Sequence, residues 1–139
     1  MIILDTNVIS EVMRPRCNPA VSSWLDDQAT ETLYTTAISL SELLLGLALL
    51  PDGRRKEGLS SVLDEFLERF LVGRVLSFDE PSARAYSVIM ERSRRQGRAI
   101  STPDGQIAAI AAVHGFAVAT RDTTPFKAAA LTVIDPWLR

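Results

Sequence analysis

Short apolar runs alternate with longer helical stretches from one end of this chain to the other, and that alternation leaves few folds open. Residues 2–4, 33–38, 75–78, 116–119 and 131–134 are apolar or β-rich and too short for helices. Between them, residues 7–13, 19–27, 39–50, 54–72, 80–96 and 103–113 read as helices, and 124–129 as a single helical turn. In 54–72, Leu59, Val62, Leu63, Phe66, Leu67 and Phe70 recur at three- and four-residue spacing, the mark of one buried face. Ser39 and Glu42 have the spacing of a capping box, and Pro103 suits the first turn of its helix. Gly97 and Gly115 stand just past helix ends. Strands separated by helices build βαβ units. The expected fold class is therefore α/β: one domain over residues 1–139, with a central, roughly five-stranded parallel sheet and helices on both faces.

Four carboxylates fall at the joints of this pattern. Asp5 follows the first strand, and Asp122 closely follows the fourth. Glu42 is expected in the first turn of the helix after the second strand, and Asp104 in the first turn of the helix before the fourth. A crossover helix runs antiparallel to its strands, so its N-terminus returns to their carboxyl edge, where open α/β sheets bind ligands. Taken singly, each acid has a structural explanation: a cap, a capping-box return, a favourable helix dipole or an Asx turn. Their shared rim argues for a site. Carboxylates brought together do not all stay ionised unless positive charge sits between them. A hard divalent cation with oxygen ligands, Mg²⁺ or Mn²⁺, meets that need. Thr6, Asn7 and Thr120 lie beside the acids and can orient carboxylates and hold waters.

Composition removes several alternatives. With one cysteine, Cys17, and one histidine, His114, the chain has no internal disulfide and too few ligands for a Cys/His zinc site. His114 reads as a last-turn residue before a Gly115 cap. No apolar run approaches the ~20 residues of a membrane span, and the opening lacks the basic segment of a signal peptide. A cytoplasmic, membrane-free protein is expected. The formal net charge of −2 is unlike that of a nucleic-acid binder, but four metal-neutralised acids would leave a mildly basic surface. Arg92, Arg94, Arg95 and Arg98 form one basic cluster, and Arg54, Arg55 and Lys56 another. Each reads first as a solvated helix face, and the former could also flank a groove near Asp104. The apolar stretch 43–50 is mostly core by the same reasoning, with part available for a partner groove or dimer contact.

These residues resemble a known pattern. Leu4-Asp5-Thr6-Asn7-Val8-Ile9-Ser10-Glu11 resembles the first motif of PIN-domain proteins. Ser41-Glu42-Leu43-Leu44-Leu45-Gly46, Asp104-Gly105-Gln106-Ile107-Ala108-Ala109 and Ala119-Thr120-Arg121-Asp122 resemble the later ones, in order and through nearly the whole chain. Within that family the chain resembles the VapC toxins, in particular the FitB-like branch, which the ending Asp135-Pro136-Trp137 is also similar to. The resemblance implies a divalent-metal-dependent endoribonuclease, held inactive by a cognate antitoxin that carries its own DNA-binding domain. It implies metal binding by Asp5, Glu42, Asp104 and Asp122, with RNA as substrate. Assembly would be a homodimer or a toxin–antitoxin hetero-oligomer. Asp5 and Asp104 are the first choices for direct ligands. Glu42 and Asp122 would bind directly, through water, or as a water-orienting base. In-line attack would leave a 5′-phosphate and a 3′-hydroxyl. Two rivals gather acids in a similar way. A metal-dependent phosphatase shares the sheet edge, although no phosphoacceptor lysine constellation is evident. A non-catalytic PIN-like interaction module would keep the fold and lose acids, whereas all four are present here.

Overall fold

Successive residues of a strand face opposite sides of its sheet, and this decides the layering. In the computed structural model, which describes residues 1–138, β1 (Ile2–Leu4) sends Leu4 into one core and Ile3 into another. β2 (Leu33–Thr36) divides Leu33 from Tyr34 in the same way, and β4 (Ala117–Ala119) divides Ala119 from Val118. Four helices close the first core: α1 (Thr6–Val12), α2 (Pro19–Asp26), α3 (Ala37–Ala48) and α4 (Arg54–Phe70). They contribute Val8, Ile9, Trp24, Leu43, Leu63 and Phe66. The second core is closed by α5 (Glu80–Arg95), α6 (Thr102–His114) and α7 (Thr124–Ala128), through Ile89, Ile107, Ile110 and Phe126. With β3 (Val75–Leu76) and β5 (Val133–Ile134), the sheet runs β3-β2-β1-β4-β5 and every neighbouring pair is parallel. This is the α/β architecture that the alternation implies. The final residue of the expected domain, Arg139, lies outside the described residues.

The chain leaves β1 toward β2 and β3, then returns to lay β4 and β5 on the other side. The strand order therefore reverses between β1 and β4, where open α/β sheets hold their ligands. Leu4 pairs with Ala119, and the Asp5 N–H continues the ladder to the Ala119 carbonyl at 3.0 Å. The residues that follow these strands, Asp5 and Thr120, thus begin side by side.

Several boundaries differ from those expected, each for a hydrogen-bonding reason. Strand β2 stops at Thr36 because the Thr36 Oγ1 accepts from the Ser39 N–H at 3.0 Å and opens α3 at Ala37. The Ser39–Glu42 capping box does not form. Ser39 lies inside the helix, its buried Oγ has no hydrogen-bond partner among the described residues, and Glu42 falls in the second turn. Strand β4 starts one residue late because the Phe116 N–H closes α6 onto the Ala111 carbonyl around left-handed Gly115, φ 69°. Likewise Leu131 closes α7 onto the Phe126 carbonyl, with Ala130 at φ 61°, so β5 begins at Val133. Short 3₁₀ turns at Thr30–Thr32 and Pro136–Leu138 were not expected from the pattern.

Helix α6 carries Asp104 in its first turn and is buried at Gly105 and from Ile107 to Ala111. It lies close against α5 at Gly105. A Cβ there would stand 2.5 Å from the Met90 Sδ and 3.0 Å from the Tyr86 ring.

The two residues competing for the α3 cap separate in a stability measurement. Thr36→Ala should cost about 1 kcal/mol in urea unfolding. Ser39→Ala, which removes an unpaired buried hydroxyl, should lie within about 0.5 kcal/mol of the parent or above it. A larger loss for Ser39→Ala than for Thr36→Ala would contradict the cap assignment.

Candidate active site

Asp5 opens α1 as its N-cap, and two donors hold its carboxylate. Its Oδ1 accepts from the Thr6 N–H and its Oδ2 from the Thr120 hydroxyl, both at 2.8 Å. The residue is only 5 % exposed. Thr120, fully buried beyond β4, uses its whole hydroxyl. It donates to Asp5 and accepts from the Asn7 Nδ2 and the Asp122 N–H, each at 3.1 Å. The Asn7 Oδ1 in turn accepts from the Arg121 N–H at 3.2 Å. Exposed Glu42 reaches the same cluster from α3, where its Oε1 accepts from the Thr6 hydroxyl at 2.8 Å. Half-buried Asp104 sits in the first turn of α6, its N–H capped by the Ser101 Oγ at 3.3 Å. Asp122 is exposed at the mouth.

The charges are coupled. Burial pushes the Asp5 carboxyl up from 3.8 to about 6, against the lowering effect of the Thr120 and Thr6 hydrogen bonds, and the negative Asp104 and Glu42 add to the rise. Asp104 is also raised, first by burial and then by Asp122 and Glu42, with the Ser101 hydrogen bond opposing. All four acids therefore sense one another directly or through a shared neighbour. No internal cation relieves them: the ion pairs among the described residues, Arg14–Glu11, Lys56–Asp52, Arg84–Glu80 and Arg95–Glu91, all lie elsewhere.

The four oxygen donors suit a hard divalent cation. As they stand, no three His, Cys, Asp or Glu side chains among the described residues are arranged to hold a metal ion. The electrostatic coupling is the better guide to their grouping. Like charges act on one another at ~4–6 Å and beyond, whereas ligation needs oxygens within ~2.6 Å of one point, and carboxylates without a cation between them repel. Asp5 is pinned by two donors, Glu42 is held by the Thr6 hydroxyl alone, and the Asp122 side chain is exposed.

The structure brings Asp5, Glu42, Asp104 and Asp122 to one edge and places Thr6, Asn7 and Thr120 among them as hydrogen-bonding supports. Two residues of the network, Ser101 and Arg121, were given no role by the sequence reading, although Arg121 stands inside the fourth motif. Ser101 was legible in the spacing Ser101-Thr102-Pro103-Asp104, a cap followed by an acid. Arg121 carried no local signal of its role. Arg92, Arg94, Arg95 and Arg98 are exposed at the end of α5 and just beyond it, with Arg95 paired to Glu91. His114 ends α6 and stacks near Phe116, 5.3 Å between ring centres, with Gly115 as the cap. Among the described residues no helix is long and apolar enough to cross a membrane.

Comparison with known proteins gives consistent matches. The PIN domain family model matches residues 2–131. The chain is 47% identical to "VapC ribonuclease Y4jK" of Sinorhizobium fredii over 137 residues, covering 99% of this chain and 98% of that protein. It is 46% identical to "Toxin FitB" of Neisseria gonorrhoeae over 137 residues, covering 99% of each. Among solved structures, FitAB bound to an IR36 DNA fragment superposes with a TM-score of 0.93 at 44% identity, covering 99% of this chain and 96% of that one.

The raised Asp5 pKa has a thermodynamic consequence. The folded state holds this proton more tightly than the unfolded state, so stability falls as pH rises from about 4 to about 6. At about 1.4 kcal/mol per pH unit, ionised Asp5 costs the metal-free fold roughly 3 kcal/mol near neutral pH. Asp5→Asn removes that cost but spoils the Thr120 hydrogen bond, worth about 1 kcal/mol. In divalent-free buffer near neutral pH the variant should be more stable by roughly 1–2 kcal/mol, and the gain should vanish toward about pH 4. A variant that is less stable at neutral pH would refute the burial argument.

Proposed function

Because the chain belongs to the PIN-domain family, in its FitB-like VapC branch, we propose that it is the toxin of a toxin–antitoxin pair and cleaves RNA with the help of Mg²⁺ or Mn²⁺. Residues 1–139 form its one PIN domain, and it acts in the cytoplasm. One observation carries the reading. The Asp5 carboxylate is buried and gripped by two donors, yet raised to about 6 beside three further acids, with no ion pair to balance it among the described residues. A fold that bears such an electrostatic cost is built for a cation from outside.

Asp5 and Asp104 would hold the ion directly, with Glu42 and Asp122 completing the set through rotation or through water. When bound, a divalent ion acidifies water and neutralises charge developing on the phosphate. The chain's own residues supply the rest. The Thr120 hydroxyl and the Thr6 N–H keep the Asp5 carboxylate in one orientation. Glu42 keeps its Oε1 on the Thr6 hydroxyl, which leaves Oε2 to take a proton from the attacking water. The Asp122 backbone is tied to Thr120, so its carboxylate stands at the mouth of the site and orients that water. Attack in line with the leaving oxygen gives a 5′-phosphate and a 3′-hydroxyl.

A protein partner is supported by the FitAB complex, which the chain matches over nearly its full length. The partner is the cognate antitoxin, with its own DNA-binding domain. A groove between α1, α3 and α4, lined by Met13, Leu43, Leu47, Leu59 and Val62 and bordered by Arg14, Arg16, Arg54 and Arg55, offers an apolar floor with a basic rim. It suits an amphipathic segment with acidic flanks. Leu44 and Leu45 on α3 and Leu49 at its C-cap are 50%, 59% and 75% exposed and supply an assembly face for a homodimer or a toxin–antitoxin hetero-oligomer.

Purified protein should cleave single-stranded RNA only with a divalent ion and should leave a phosphate monoester intact. Asp5→Asn and Asp104→Asn should each lose ~100-fold or more of the rate, as expected when several kcal/mol of metal assistance is removed. Thr120→Val should lose ~10–100-fold. Mn²⁺ should raise the Tm of the parent and not that of Asp5→Asn. Undiminished RNA cleavage by clean Asp5→Asn protein would defeat the proposal, and monoester hydrolysis would point to a phosphatase.

A further inference from the structure

Arg121 precedes Asp122 in the chain and does not pair with it. Among the described residues its guanidinium forms no ion pair, and its Cζ lies 5.4 Å above the Trp137 ring. The backbone beneath it belongs to the network that holds Asp5: the Arg121 N–H donates to Asn7, Asn7 to Thr120, and Thr120 to Asp5. Trp137 is equally well placed. It packs against the core that contains Trp24 and Leu25, and its N–H donates to the Asp135 Oδ1 at 2.9 Å. Across the segments that carry the four acids, residues 5–7, 36–42, 101–104 and 120–122, Arg121 is the only basic residue. It is exposed to solvent.

The placement solves a problem inherent in this site. A guanidinium folded onto Asp122 or Glu42 would neutralise part of the charge that attracts a divalent ion. No cation at all would leave a polyanionic strand repelled by the acids. A cation–π contact made by a solvent-exposed guanidinium on a half-buried ring and an exposed ion pair are both weak interactions. The ring can therefore hold Arg121 off the carboxylates and still yield it to a phosphate, where charge-assisted, two-pronged hydrogen bonds are stronger.

We propose that Arg121 is a substrate-binding residue that grips an RNA backbone phosphate next to the one attacked, and that Trp137 is the perch that keeps its guanidinium off the acids until RNA arrives. The inference rests on the ribonuclease reading of the same site. The contact is to backbone, so it adds affinity without base preference.

The test measures binding apart from cleavage, by fluorescence anisotropy of labelled single-stranded RNA on full-length Asp5→Asn protein. Adding Arg121→Gln should weaken binding roughly tenfold, by a similar factor for unrelated sequences, and make the plot of log affinity against log salt shallower by about 0.7. Arg121→Lys should recover part of the affinity, because it keeps the charge but not the fork. In protein with Asp5 intact, Trp137→Ala should shift the Mn²⁺ titration of Tm to higher concentration, and Arg121→Gln in the same chain should reverse that shift. Unchanged affinity and salt slope in Arg121→Gln would overturn the proposal, as would affinity lost for only one sequence. If the parent cleaves RNA and Asp5→Asn does not, such a result defeats Arg121 alone. If neither protein binds or cleaves RNA, the ribonuclease reading fails and takes this inference with it.

Discussion

A single buried hydroxyl, that of Thr120, organises the edge on which everything else depends. It gives its one hydrogen to Asp5 and receives two, from Asn7 and from the Asp122 backbone. The parallel pairing of β1 with β4 makes this possible, because Leu4 opposite Ala119 sets the next two residues adjacent. The hydroxyl fixes the carboxylate's direction without cancelling its charge. The arrangement keeps a negative charge buried and oriented, with no ion pair among the described residues, which costs stability near neutral pH.

The four acids differ in how firmly they are held. Asp5 is held between two donors at the switch point of the sheet, and Asp104 is anchored by a capped, buried helix. Glu42 is held by one exposed hydrogen bond from the Thr6 hydroxyl, and the Asp122 side chain is exposed. A firmly held pair with two more exposed members would suit a hard divalent cation bound through oxygen ligands. The acids raise one another's pKa although, among the described residues, no three of them are arranged around one point.

Much of this was legible in the chain because each element announces itself locally. Period-two and period-three-to-four patterns marked the strands and helices, and the acids fell at the joints between them. What the pattern could not carry was competition for backbone hydrogen bonds. Phe116 and Leu131 look like strand residues, but their N–H groups are taken by the C-terminal caps of α6 and α7. Thr36 has the β-branched side chain of a strand residue, and its hydroxyl instead opens a helix, which moves Glu42 one turn deeper than expected. The order of strands depends on which crossovers pack together, and nothing local encodes it. Arg121 and Trp137 meet only because the chain end folds back onto α2, so their contact has no sequence signature.

The seam between α5 and α6 has a consequence for how this chain can drift. Gly105 stands where a methyl group would collide with Met90 and press on Tyr86, one residue from Asp104. A side chain at 105 would fit only if the flexible Met90 thioether swung aside, because the Tyr86 ring leaves little room beside it. Change along this contact is therefore paired: volume gained at position 105 has to be met by movement or loss at position 90.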